Sequence, residues 1–360
     1  MSPAASAPPY LVAAADLAGD REVVCGIINR NPSAAAVAVA AARLAWLFDR
    51  NPAGPGRTWL LKAREGLTPV GTGSVVLRRM SIRGSIGLAG RASLLAVDPA
   101  HRTLGPALLL ERQLAAFAGE ARLSAVFAVA PPATVPVFER CGYVRLGDYL
   151  RYAKPIDLTP HVTRLTGVRA GARVIAAPAN AALRLVSRDS WAGTGGGVIA
   201  PVTAFDARFD ELWNRAAANW GFTTARTSSF LAWRFADAPS AGDYTTLALM
   251  SRDEREVRAY AVVLIQGDHV HVHDLFAPSP GPDFERMLAG VVRWARAARV
   301  NSVSLSISAD AAADASVRRV GFRPRADAEK ASSLLVLCPD PLVLERIRRE
   351  GWYILPADNV

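Results

Sequence analysis

The sequence predicts an α/β fold (an α+β mixed sheet) made of two tandem copies of one domain, and three observations carry that prediction. The first is length: the chain has 360 residues, against about 100–200 for a typical domain. The second is an internal repeat. Leu44-Ala45-Trp46-Leu47-Phe48, followed by Pro52, matches Leu231-Ala232-Trp233-Arg234-Phe235, followed by Pro239, without a gap. At the same offset Thr58 and Leu60 meet Thr245 and Leu247, Val70 meets Val257, and Val75-Val76-Leu77 meets Val262-Val263-Leu264. So long a period means two whole domains rather than a solenoid. The third is the order of elements within each copy: helices, then strands that suit antiparallel pairing, then a β-α-β passage, which together make a mixed layer.

The elements follow from periodicity and punctuation. Asp16–Arg30 and Ala36–Arg50 have helical apolar spacing, and Thr58–Ala63 and Val70–Leu77 are β-rich runs suited to a hairpin. Ser93–Val97 is a short apolar strand, Gly105–Gly119 a helix, Ser124–Val129 a strand, Val135–Arg140 a short helix and Tyr143–Tyr152 a returning strand. The second copy has helices at Asp206–Asn219 and Ser228–Phe235, then strands at Thr245–Met250, Glu256–Ile265 and Val270–Ala277. A helix at Asp283–Arg299, a strand at Ser302–Ile307, a helix at Ala311–Val320 and a last strand at Ser333–Leu337 complete it. Between the copies Asp157–Arg188 reads as a helical connector, ended by the flexible Thr194-Gly195-Gly196-Gly197. The expected boundaries are 1–155 for the first domain, 156–200 for a basic helical linker, 201–340 for the second domain and 341–360 for a helical tail.

Composition narrows the class. The chain is 51% hydrophobic and 21% charged, as two ordinary buried cores require, and it offers no run of about 20 apolar residues that would span a bilayer. The start of the chain, Met1 to Pro9, has neither the basic start nor the apolar core of a secretory signal. Cys25, Cys141 and Cys338 are far apart and odd in number, which suits reduced thiols in a cytoplasmic protein. The net charge is +10. Its densest stretch, Arg151, Lys154, Arg164, Arg169, Arg173, Arg184 and Arg188, is opposed there only by Asp157. That stretch reads either as a solvated linker face or as a patch for phosphates or lipid headgroups, the latter allowing peripheral contact with an anionic membrane surface. No reader helix or aromatic-basic platform points to nucleic acid.

The most informative segment is Leu95-Ala96-Val97-Asp98-Pro99-Ala100-His101-Arg102-Thr103-Leu104-Gly105-Pro106-Ala107. A strand ends, a tight basic turn follows and a helix opens, so backbone N–H groups and the helix dipole converge on one point suited to a pyrophosphate. Gly105 permits close backbone approach and Pro106 suits the first helical position. Arg102-Thr103-Leu104-Gly105-Pro106-Ala107 resembles the R/Q-x-x-G-x-G/A signature of the acyl-CoA N-acyltransferase (GNAT) superfamily. Phe138-Glu139-Arg140-Cys141-Gly142-Tyr143 resembles the family's closing motif, and Val317-Arg318-Arg319-Val320-Gly321-Phe322 echoes it in the second copy. The resemblance implies two GNAT-like domains with central, mostly antiparallel sheets flanked by helices. It implies that acetyl-CoA or another acyl-CoA is the cofactor, with Ala96 and Val97 beside its pantetheine arm and Arg102, Thr103, Leu104, Gly105, Pro106 and Ala107 around its phosphates.

Three departures bear on that reading. Pro106 has no N–H to give a phosphate. Phe138 and Val317 stand where the family often has a tyrosine acid. In the second copy Ala277-Pro278-Ser279-Pro280-Gly281-Pro282 replaces the loop with a short uncharged one, so CoA is expected in the first copy only. The segment Phe205–Trp213, with Arg226 and Phe230–Phe235, resembles bacterial tandem GNAT proteins, some of which accompany exopolysaccharide or lipid-linked sugar assembly.

The candidate catalytic residues are His271, His273 and Asp274. His269, His271 and His273 alternate on one strand and share a face, with Asp274 opposite. A neutral imidazole can take a proton from an amine. No cysteine or carboxylate partner accompanies the histidines, and no metal is expected. Arg234 and Arg226 are the candidate substrate-binding residues, because a buried arginine needs an anionic partner. The expected activity is acyl-CoA-dependent N-acylation, of acetyl groups onto a small-molecule amine such as an amino sugar. The alternative is a non-catalytic acyl-CoA-sensing or assembly protein.

Overall fold

A computed structural model describes residues 9–31, 39–167, 171–325 and 331–359. The stretch 1–8, the first residues of the expected Ala36–Arg50 helix and Arg169 of the basic run lie outside these, as do the side chains of Leu104, Arg173 and Arg188. The chain divides into two compact units, Met1–Met80 with Gly87–Gly147 and Ser332–Arg346, and Ser81–Ile86 with Asp148–Ala331 and Ile347–Val360.

The first unit contains β1 (Tyr10–Ala14), α1 (Arg21–Asn29), α2 (Ala41–Phe48), β2 (Arg57–Ala63), β3 (Pro69–Ile82), β4 (Ser85–Val97), α3 (Leu104–Glu120), β5 (Val126–Ala130) and α4 (Val135–Glu139). The strands lie in the order β1-β2-β3-β4-β5, with β1, β2 and β3 antiparallel and β4 parallel to β5. Beyond β5 the next strand is Ser332–Leu337, antiparallel through Ser333↔Ala130 to Leu337↔Val126. Trp59, Leu61, Val75, Leu110, Leu114 and Phe138 form the centre of the core. At Gly90 a Cβ would stand 2.4 Å from Val75 Cγ1, so only glycine lets β4 approach this core.

The second unit takes in the last eight residues of β6 (Val144–Pro155), then α5 (Thr159–Thr166), α6 (Ala172–Val186), α7 (Arg188–Trp191), β7 (Val198–Val202) and α8 (Ala207–Ala216). After these come β8 (Thr223–Thr224), α9 (Ser228–Leu231), β9 (Tyr244–Met250), β10 (Val257–Gln266), β11 (His269–Phe276), α10 (Pro282–Ala297), β12 (Ser302–Ala309), α11 (Ala311–Arg319) and β13 (Arg323–Pro324). The strand Ser332–Leu337 is β14, and α12 (Pro341–Glu350) and β15 (Tyr353–Ile354) end the chain. The sheet order β7-β9-β10-β11-β12-β6 repeats that of the first unit, with β11 parallel to β12 and its other neighbouring pairs antiparallel. The repeat read in the sequence is thus a repeat of topology: Trp46 and Trp233 are both buried, and β2 and β9 occupy equivalent places.

Two expected boundaries differ. The closing strand of each copy joins the other sheet: β6 pairs with β12, and β14 with β5. Backbone pairing satisfies the same N–H and C=O groups whichever strand supplies them, so an apolar run such as Ser332–Leu337 carries no label for its sheet. The tail is helical only to Glu350. Tyr353, Ile354, Leu355, Ala357 and Asp358 are then fully buried, and the Ala357 N–H donates to the His273 carbonyl at 2.8 Å. The connector is three helices with a left-handed Gly171 at the head of α6. Asp189 fixes its end: it is fully buried and receives Lys154 Nζ and the Arg296 guanidinium. Burial works to raise the Asp189 pKa, and the bonds from Lys154 and Ser187 hold it below the ordinary value.

Candidate functional site

The basic turn of the first unit is held from three sides. The Asp98 N–H donates to the Val70 carbonyl at 2.8 Å, which fastens the end of β4 to β3. The Asp98 carboxylate pairs with Arg30 at 3.0 Å, and Asn31 Nδ2 donates to the Val97 carbonyl at 3.1 Å. His101 Nδ1 lies 3.0 Å from the Tyr10 hydroxyl of β1. Arg30, Asn31 and Tyr10 were not singled out from sequence, because nothing local marks a contact between segments so far apart.

What the turn presents is the start of α3. Thr103 is the N-cap, in extended backbone, and its side chain makes no cap bond; Asp206 and Asp310 do cap α8 and α11. The first-turn N–H groups of α3 are therefore without a side-chain cap, and Pro106 removes one of them. A Cβ built on Gly105 would meet nothing within 4 Å, so space lies open at the helix start. Beside it β4 parts from β5: their parallel pairing covers Gly90↔Val126 and Arg91↔Phe127. Leu94, just beyond, has φ +53°. Ala92 and Ser93 are both buried and Leu94 and Leu95 both half-buried, so the strict alternation of the strand breaks there.

Ala96 and Val97 are buried, and the Val97 carbonyl accepts from Asn31 and Arg102. Arg102 is folded back: its guanidinium donates to Asn31 Oδ1 and, at 3.4 Å, to the Val97 carbonyl. Ala107 packs against the core. These residues fit an anion ligand through main-chain donors and open space, with Arg102 acting to brace the turn.

The second-unit candidates separate into two groups. Arg226 and Asp274 are completely buried together. Arg226 donates to Asp274 at 3.2 Å, to Asp358 at 2.8 Å and to Thr223 Oγ1 at 2.6 Å, and the Tyr260 hydroxyl donates to Asp274 at 2.7 Å. Burial opposes charge on Arg226, but Asp274 and Asp358 outweigh it and push its pKa further up. The anionic partners of Arg226 are Asp274 and Asp358 of this same chain, and Asp274 is fully buried beside it.

His271, His273 and Arg234 lie nearer the surface. His271 Nδ1 is 2.6 Å from Ser304 Oγ, and burial, with Arg151 and His269, lowers its pKa. His273 is the extra residue of a bulge, since Val262 faces Asp274 and Val263 faces Val272. Its ring meets Tyr244 edge-on at 5.2 Å, and burial, with Arg234 and His271, pushes its pKa down to about 3. Arg234 donates to the Ala357 carbonyl at 3.3 Å and stacks over Phe235 at 4.7 Å. It sits in a π turn, Ala232–Ala236, that follows α9.

One chemistry-bearing residue was missed. Glu111 of α3 is fully buried, and its carboxyl lies beside the Tyr143 hydroxyl. Burial drives its pKa up to about 8, and burial, with the Glu111 charge, raises Cys141 to about 11. Tyr143 packs edge-on against Phe138 at 5.0 Å, so the position expected for a tyrosine acid is core. Sequence held a signal for Glu111, which falls in the stripe of Ala107, Leu110, Leu114 and Ala118 that α3 turns to the core.

No family profile and no curated protein sequence matches the chain. Solved structures do. A GCN5-related N-acetyltransferase from Anabaena variabilis superposes with a TM-score of 0.62 at 11% identity, over 93% of this chain and 74% of that one. One from Kribbella flavida superposes with a TM-score of 0.59 at 14% identity, over 93% and 72%. The N-myristoyltransferase of Saccharomyces cerevisiae, with myristoyl-CoA bound, gives 0.56 at 11% identity, over 93% and 80%. At such identities the likeness is one of fold, and the fold of this chain is GNAT-like.

Proposed function

We propose that the protein is an acyl-CoA-dependent N-acyltransferase whose cofactor site is the start of α3 in the first unit. The single observation that carries this reading is the start of α3 itself, uncapped by side chains and open at Gly105, beside the point where β4 leaves β5. Backbone N–H groups of the first turn would hold the pyrophosphate, and Asp98, Asn31 and Arg102 would keep the turn in shape. Bound acyl-CoA would supply a thioester open to attack by a neutral amine, with CoA leaving as the thiolate and one amine proton passing to a base that can return it to the thiolate. The β4 amides beyond Arg91 are the proposed donors to the acyl oxygen. In the second unit, His271 is proposed to have the chemistry of a base: in the tautomer that donates from Nδ1 to Ser304, Nε2 is the acceptor. We further assign an acetyl donor and a small amine acceptor such as an amino sugar or cell-envelope precursor.

Phe138 and Val317 support a second reading, in which the chain senses or carries acyl-CoA without turning it over, because neither supplies an acid for the leaving thiolate. Titration of the full chain with CoA and acetyl-CoA, followed by thiol release with a panel of amines, separates the two. Binding with turnover supports the enzyme, binding without turnover the sensor, and absence of binding contradicts both.

A further inference from the structure

The connector between the copies carries an apolar face that none of the described residues covers. In α6, Ala172 and Ala176 are buried and Leu183 half-buried, and these form the face turned inward. Val174, Pro178, Ala181 and Leu185 are exposed and, at 3.6 residues per turn, fall within roughly 60° of arc on the other side. Val174 is 77% exposed and Leu185 67%. Trp191 of α7 is 71% exposed, yet held: its indole N–H donates to the Leu185 carbonyl at 2.7 Å, which pins the ring at the end of the same helix. Leu165 of α5 is 86% exposed. An apolar helix face of this kind in water calls for an occupant.

Charge identifies the occupant. From Leu158 to Arg188 the chain has five arginines and no aspartate or glutamate. Arg184 lies at the flank of the apolar face and Arg164 beside Leu165, and both are exposed. An apolar face edged by arginine, with a fixed tryptophan at its border, matches an anionic lipid surface: the apolar groups enter the acyl boundary and the guanidinium groups meet the phosphates. The 15 residues of α6 would span about 22 Å, less than the ~30 Å hydrocarbon core, so the helix would lie along the surface. We infer that α6, with Leu165 and Trp191, docks the protein on an anionic bilayer.

The test is co-sedimentation of the full chain with sucrose-loaded vesicles of phosphatidylglycerol and phosphatidylcholine, and with vesicles of phosphatidylcholine alone. Trp191 is the most exposed tryptophan, so quenching by brominated lipid reports its contact. The chain should pellet with the anionic vesicles, less so at high salt. The variant Val174→Ser, Leu185→Ser, Trp191→Ser should bind at least about tenfold more weakly with an unchanged melting curve. Arg164→Gln with Arg184→Gln keeps the apolar face and should weaken binding to the anionic vesicles only. No pelleting with the anionic vesicles, equal pelleting by the triple variant, or a dimer in solution that the triple variant abolishes would each overturn the inference. The dimer would make a second copy of this chain the occupant. CoA affinity without vesicles should be the same in all variants, so this result and that of the CoA titration fail independently.

Discussion

Arg102 donates to Asn31 Oδ1, and both residues donate to the Val97 carbonyl at the end of β4, Asn31 from Nδ2 and Arg102 from Nε. An arginine that the motif suggests for phosphate binding is here a strut of the turn. Arg102→Ala should therefore weaken CoA binding by only about tenfold, or about 1.4 kcal/mol, through a looser turn. Calorimetry on the full chain checks this. A loss of a thousandfold or more would show that the guanidinium swings out to the ligand.

The buried pair Arg226–Asp274 sets a different expectation for a residue first read as catalytic. Removing one partner of a buried ion pair leaves an uncompensated charge and costs about 3–5 kcal/mol. Asp274→Asn keeps the shape and loses only part of this, so urea denaturation should show about 2–3 kcal/mol of destabilisation with CoA affinity intact. An Asp274→Asn protein as stable as the original but without turnover would restore its place in catalysis.

If His271 is the base, the pH dependence of turnover follows from its surroundings. Sequence alone would put the rise near the ordinary 6.5 of a histidine. Burial, Arg151 and His269 disfavour the imidazolium, so the acid limb should lie below that value. His271→Ala should lower turnover on the order of 10²-fold without changing CoA affinity. A limb unmoved by the substitution would assign the titration to another group. His273 should not contribute a limb near neutrality, since it stays neutral down to about pH 3.

Glu111 gives a prediction about stability. Its pKa is about 8 in the fold, against an ordinary 4.5. The folded state thus holds a proton that the unfolded state has released between these values. The contribution is favourable at pH 4.5 and below, and it is lost as pH rises towards 8. Glu111→Gln should be less sensitive to pH than the original, with its relative gain in melting temperature growing from pH 5 to pH 8. Parallel melting curves across that range would mean that Glu111 is ionised in the fold.

Much of the fold was legible because it is written locally. The Trp-x-Phe repeat, the apolar strands and the turn before Gly105 each carry their own periodicity or punctuation. What depended on distant partners was not legible. The sheets that β6 and β14 join, the burial of Tyr353 to Asp358, and the Asp358 carboxylate that neutralises Arg226 are set by tertiary pairing. The same limit applied at the site. The loop could be found, but the inward turn of Arg102 required Asn31, which lies 71 residues away. The histidines of β11 alternate with the buried Val270, Val272 and Asp274, and the bulge at His273 shifts only the pairing with β10.

The most direct test of the cofactor assignment is calorimetric titration of CoA into the full chain and into Gly105→Glu. A Cβ at Gly105 would meet nothing within 4 Å and the residue is exposed, so the substitution should leave the melting curve unchanged. Its carboxylate would stand where the pyrophosphate is proposed to bind and repel it at short range. The account predicts saturable binding of one CoA per chain in the original protein and none in Gly105→Glu. Equal CoA affinity in a folded Gly105→Glu, or no binding by the original chain, would contradict it.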